Sequence, residues 1–117
     1  MTEDVFGEFT LRTIDDTPVL ALKGEVDISN VADFQRALQA VPEADTVVID
    51  MSAVPFLDST ALAAIVRYRN ASAARGCSVT LVIANPLVQR IFEITNFDRE
   101  FKIVRRLEDI PGLFPKA

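Results

Sequence analysis

The sequence predicts an α/β fold: one domain on a mostly parallel, mixed β-sheet with an antiparallel strand at its N-terminal end and helices covering it. Three observations predict it. Apolar runs of strand length at Val19 to Val26, Val47 to Ile49 and Ser78 to Ala84 alternate with segments of helical periodicity, the pattern of successive strand-helix-strand units. The first two predicted strands are separated by a turn alone, which joins antiparallel neighbours. A chain of 117 residues, 50% of them hydrophobic, suffices for one core and leaves no room for a second domain, so a single domain over 1–117 is expected.

The expected order is β-β-α-β-α-β-α-β, with a helical turn or two at the end. Phe9, Leu11 and Thr13 alternate with Thr10, Arg12 and Ile14 as in a half-buried strand, and Asp15-Asp16-Thr17-Pro18 is turn chemistry. Val19 to Val26 is a more apolar second strand, with Gly24 marking a bend or a close approach of backbone. Ser29 or Asn30 caps the first helix, which sets Val31, Phe34, Ala37, Leu38 and Val41 on one face and Asp33, Gln35, Arg36 and Gln39 on the other. Val47-Val48-Ile49 is the third strand, and Pro55 prevents it from running far. Ala61 to Ala74 lacks Gly and Pro, is dense in alanine and carries Leu62, Ile65 and Val66 at one-face helical spacing, with Gly76 as its stop. Ser78 to Ala84 is the fourth strand; Asn85 caps and Pro86 opens a third helix with Val88, Ile91 and Phe92 inward, which Asn96 ends. Phe101 to Val104 is a last strand, and the tail Leu107 to Phe114 supplies the terminal turn.

The start of the second helix carries the most chemistry. Asp58 reads as its N-cap, the carboxylate accepting free N–H groups of the first turn, and Ser59 as the first helical residue, pointing outward beside unpaired donors. The helix dipole and those donors favour negative charge, so Ser59 could carry a phosphoryl group without melting the helix. Asp-Ser-Thr before an apolar run is, by itself, above all a capping signal. Asp27 and Asp58-Ser59 both fall just past strand ends, where sites of such sheets gather, although Asp27 also suits a loop-capping carboxylate.

Composition narrows the function. A net charge of -5 with no basic cluster argues against nucleic acid and against an anionic membrane surface, and favours a protein partner with a basic face. The absence of histidine removes the usual catalytic triads and metal sites, so no metal or cofactor is expected. Four isolated glycines assemble no phosphate-cradling loop; a nucleotide needed to phosphorylate Ser59 must come with a separate kinase. No run approaches a membrane span and the N-terminus begins with acidic residues, so a cytoplasmic protein is expected, not an enzyme, with Cys77 as buried filler.

Three motifs in order carry a family resemblance. Phe56-Leu57-Asp58-Ser59-Thr60-Ala61-Leu62 resembles the phosphorylation segment of the STAS family, the anti-sigma factor antagonists, whose pattern reads Asp-Ser-Ser/Thr-Gly-Leu after a hydrophobic strand. Gly24-Glu25-Val26-Asp27 is similar to that family's Gly-Glu-x-Asp segment, and Asn85-Pro86 with Val88, Ile91 and Ile94-Thr95-Asn96-Phe97-Asp98 to its third helix. The matches place the domain's core at about 8–110. The resemblance implies that the unphosphorylated chain docks on an anti-sigma factor and releases its sigma factor. That anti-sigma factor is also a serine kinase whose action on Ser59 ends the interaction, and a PP2C-type phosphatase restores it. Asp58, Ser59, Thr60 and Ala61 would contact the partner, with Asp27 on the same docking surface.

Electrostatics make such a switch reasonable. Phosphate adds about -1.5 to -2 charges beside Asp58, and a like-charge pair about 5 Å apart at an effective dielectric near 20 costs ~3 kcal/mol. Ala61 stands where the family pattern has Gly; its methyl would crowd a partner backbone approaching the first turn, while favouring the helix by about 0.5 to 1 kcal/mol. Thr60 offers a second hydroxyl, but consecutive helical side chains point about 100° apart and only one can face a given surface. Two other readings remain: a STAS module that binds a protein or small ligand with Ser59 as a mere cap, and a small hydrolase built on Asp27, Asp58 and Ser59, for which no activating base is visible.

Overall fold

A six-stranded mixed sheet carries the domain, its strands ordered in space as they are in sequence. The computed structural model describes residues 3–113. The strands are β1 (Asp4–Phe6), β2 (Phe9–Ile14), β3 (Thr17–Lys23), β4 (Thr46–Ala53), β5 (Ser78–Val82) and β6 (Lys102–Val104); the helices are α1 (Val31–Ala40), α2 (Ser59–Ala74) and α3 (Pro86–Ile94). β1, β2 and β3 pair antiparallel, and β3, β4, β5 and β6 pair parallel. Short 3-10 turns follow at Phe97–Arg99 and Leu107–Asp109; Phe114, the end of the expected terminal turn, lies outside the described residues.

The antiparallel opening holds one strand more than expected. Asp15 and Asp16 both take positive φ, 49° and 67°, the conformation of the tight turns that match strand twist, which aspartate tolerates. The chain before it folds back once more, turning at Gly7 (φ 60°) so that β1 forms an edge strand on β2. Three residues, largely exposed and led by an aspartate, give no alternation to read.

Strand alternation then sorts the core into two layers. Leu20, Leu22, Ile49, Met51, Leu81 and Ile83 face the three helices and meet Phe34, Leu38, Leu62, Ile65, Val88 and Phe92 in one continuous cluster. On the opposite face Val19, Val48 and Val82 are covered by Leu113, with Leu107 and Ile110 beside it. Cys77 is a free, buried thiol whose pKa burial pushes up.

The predicted helix signals appear as geometry. Asn85 accepts the Leu87 N–H at 2.8 Å with Pro86 in the first turn. Asn96 takes φ 62° after α3. Gly76 (φ 78°) ends α2, with the Cys77 N–H returning to Ser72 O at 2.8 Å. Gly24 settles as a bend: φ is 75° and a Cβ there would meet no atom within 4 Å. β3 therefore stops at Lys23, short of the expected Val26.

Candidate functional site

The bend at Gly24 sends the chain after β3 across to the loop after β4. The Val26 N–H donates to Phe56 O, and the Asp58 N–H donates to Val26 O, both at 3.1 Å, a parallel bridge that joins Val26 to Leu57. Both residues are buried and belong to the main core. Two loops distant in sequence thus form one platform at the C-terminal edge of the parallel strands, the edge at which ligands of open α/β sheets bind.

Asp58 locks this platform. Its Oδ1 accepts the Ala61 N–H at 2.9 Å, the expected N-cap bond, and its Oδ2 accepts the Ile28 N–H at 3.0 Å. One carboxylate therefore caps α2 and holds the loop before α1. Removing it by Asp58→Ala is expected to lower stability by about 1–2 kcal/mol, through the lost cap and the released Ile28 N–H. Asp58→Asn, which can still cap, should lose about half as much. Chemical unfolding of both variants reads the difference, and equal losses would refute it.

Ser59 is the first residue of α2 and is exposed, whereas Thr60 is half-buried. No hydrogen bond among the described residues joins the Ser59 hydroxyl to a carboxylate. Asp27, half-buried in the first loop, is tied to its own neighbours. Ser29 donates to its Oδ1 through both hydroxyl and N–H, and the hydroxyl bond first and the backbone bond second hold its pKa below the ordinary carboxylate value. Asn30 stands at the cap position of α1, but its side chain serves the loop: Oδ1 accepts the Asp27 N–H at 2.9 Å and Nδ2 donates to Glu25 O at 2.8 Å.

One expectation is corrected here. Ala61, expected among the partner-contacting residues, is fully buried and its methyl belongs to the main core. Its side chain falls inward because the first turn of α2 rests on the sheet, so the methyl itself is not presented at the surface. Two further side chains stand out on the platform. Ile28 and Phe56 are large apolar side chains left exposed on the two bridged loops; an isoleucine between Asp27 and Ser29, and a phenylalanine after Pro55, were their signals.

Among the described residues no group of His, Cys, Asp or Glu is arranged to hold a metal ion, and no helix is long and apolar enough to cross a membrane. A groove of about 620 Å³ lies between α1 and α2, lined by Gln35, Gln39, Ala64, Arg67 and Tyr68 among others, and Ser59 does not line it.

Comparison with known proteins agrees with this fold. The chain is 28% identical over 85 residues to a STAS-domain containing protein of Pseudomonas aeruginosa, covering 72% of this chain and 84% of that one. A candidate anti-sigma factor antagonist of Thermotoga maritima superposes with a TM-score of 0.78 at 26% identity, over 89% of this chain and 92% of that one. An anti-sigma factor antagonist of Mycobacterium paratuberculosis gives 0.79 at 25% identity, over 86% and 87%. The family model of the STAS domain matches residues 8–110, a span that contains every strand from β2 to β6, both bridged loops and the capped serine, and the chain belongs to the STAS domain family.

Proposed function

We propose that this chain is a cytoplasmic anti-sigma factor antagonist whose docking face is the platform around Ser59. Unphosphorylated, it binds an anti-sigma factor with serine kinase activity and releases the sigma factor held there. Phosphorylation of Ser59 by that kinase ends the interaction, and a PP2C-type phosphatase restores it. The observation that carries this reading is the exposed Ser59 hydroxyl on the first turn of a helix whose N-cap is already satisfied by Asp58. A phosphate there meets free backbone donors and the positive end of the helix dipole, so the fold tolerates what the partner does not. The structural neighbours described as anti-sigma factor antagonists support the same role.

Asp27, Asp58 and Thr60 contribute unequally in this scheme. Both oxygens of the Asp58 carboxylate are occupied by backbone donors, which makes it the frame of the surface, while Asp27 and Thr60 border it. The test is mass spectrometry after incubation with ATP and the cognate anti-sigma factor. One phosphate is expected on the wild type and on Thr60→Ala, and none on Ser59→Ala; a phosphate that persists in Ser59→Ala sinks the proposal. The reading as a small-ligand module has its own location, the groove between α1 and α2, and predicts no phosphate at all.

A further inference from the structure

Two cavities adjoin between α1, α2 and the loop that leads from α1 to β4, and Ser59 lines neither of them. The first is the groove of about 620 Å³ and the second holds about 450 Å³, both within the range of small-molecule sites. Glu43, Tyr68 and Arg75 line both, so the two make one recess. Helical spacing builds its walls. Gln35, Leu38 and Gln39 share one face of α1, and Ala64, Arg67 and Tyr68 share one face of α2. Arg75, the C-cap of α2, stands about three turns beyond Ala64 on that same face.

The floor of the recess is apolar. Leu38, Val47, Ala64 and Cys77 are buried there and Tyr68 is half-buried. Burial raises the pKa of the Tyr68 phenol above its ordinary value, so the phenol stays a neutral hydrogen-bond donor. Around that floor stand charges of both signs, Arg67 and Arg75 with Glu43 and Asp45. None of the four forms an ion pair among the described residues. Charged side chains at an open surface are ordinary, but two of each sign on the walls of one apolar-floored recess select a ligand. A plain anion, or the phosphates of a nucleotide, would gain the two guanidinium groups and meet the two carboxylates as well. A plain cation has the converse difficulty.

The geometry points to a binding site for a small zwitterion with an apolar side chain, of amino-acid to dipeptide size. Its carboxylate is taken by Arg67 and Arg75, whose planar guanidinium groups match a carboxylate. Its ammonium is taken by Glu43 and Asp45, and its side chain covers Leu38, Val47 and the Tyr68 ring. Gln35 and Gln39 supply both donors and acceptors for a peptide amide. This site goes beyond the Ser59 switch and does not depend on it, since occupancy of the recess and phosphorylation of that serine involve different residues.

The protein carries its own reporter. The chain has one tyrosine and no tryptophan, so its tyrosine fluorescence reads Tyr68 and this recess alone. Titration of the full chain with leucyl-leucine should change that fluorescence with a Kd of about 1 mM or below. N-acetyl-leucyl-leucine, which lacks the ammonium, and leucyl-leucinamide, which lacks the carboxylate, should each bind at least about tenfold more weakly. Arg75→Gln and Glu43→Gln should each weaken leucyl-leucine about tenfold. Arg90→Gln should leave it unchanged, because Arg90 is exposed on α3 and lines neither cavity. A blocked dipeptide that binds as tightly as the free one overturns the zwitterion assignment, and an equal loss in Arg90→Gln overturns the location. No response to any of the three probes at about 10 mM, by fluorescence or by calorimetry, overturns the site itself.

Discussion

Phosphorylation of Ser59 is expected to weaken binding of the anti-sigma partner about a hundredfold. In the free protein the phosphate is solvated, and its repulsion with the Asp58 carboxylate, about 5 Å away, is near 1 kcal/mol in water. Docking strips that water away, and at an effective dielectric near 20 the same pair costs about 3 kcal/mol. The difference for a single charge pair is about 2 kcal/mol, or about thirtyfold, and the second phosphate charge carries it toward a hundredfold. Asp58 cannot turn aside, because both of its oxygens are held by backbone N–H groups. Calorimetry on the enzymatically phosphorylated chain checks this. Ser59→Ala should keep wild-type affinity within a few-fold, and a phosphorylated chain that binds as well as the unmodified one would remove the basis of the switch.

Replacing Phe34 with alanine is expected to cost about 3–5 kcal/mol of stability, a large share of the 5–15 kcal/mol usual for such domains. Phe34 is fully buried and meets Phe9 edge to face, with ring centroids 5.6 Å apart at 61°. The pair pins α1 onto β2, and α1 in turn anchors the loop that carries Asp27 and Ile28. The cavity cannot close readily, since the strands beneath it are fixed by their ladders. Phe34→Leu, which keeps most of the volume, should lose less than about 1.5 kcal/mol, and Phe56→Ala, on the exposed loop, less still. Denaturant unfolding reads all three, and a Phe34→Ala loss no larger than that of Phe34→Leu would contradict the packing argument.

Local chemistry was legible in the sequence wherever a side chain serves its own backbone neighbours. Asp58 on Ala61, Asn85 on Leu87, Gly76 and Asn96 past helix ends all act within a few residues, so composition and spacing reveal them. The helix faces were legible for the same reason: Phe34, Ala37 and Leu38 recur at helical spacing. What escaped was set by distant partners. The second bond of Asp58 spans 30 residues, to Ile28. Ala61 reads as surface beside Ser59 until the sheet beneath α2 is in place. β1 exists because β2 offers it a free edge, since its own residues show no strand pattern. Exposure of Ile28 and Phe56 likewise follows from how two loops bridge, which no local window contains.

The agreement between spatial and sequential strand order has a consequence for how the chain is made. No strand among β1 to β6 has to be inserted between two earlier ones, so a chain leaving the ribosome can lengthen its sheet at a single growing edge. Both bridged loops and the start of α2 have been synthesised by Ala61, before β5 and β6 exist. Leu113 closes the far face last, over Val19, Val48 and Val82. The platform around Ser59 is therefore among the earliest pieces of the domain able to take shape, and sealing of the sheet's other side is left to the final residues of its core.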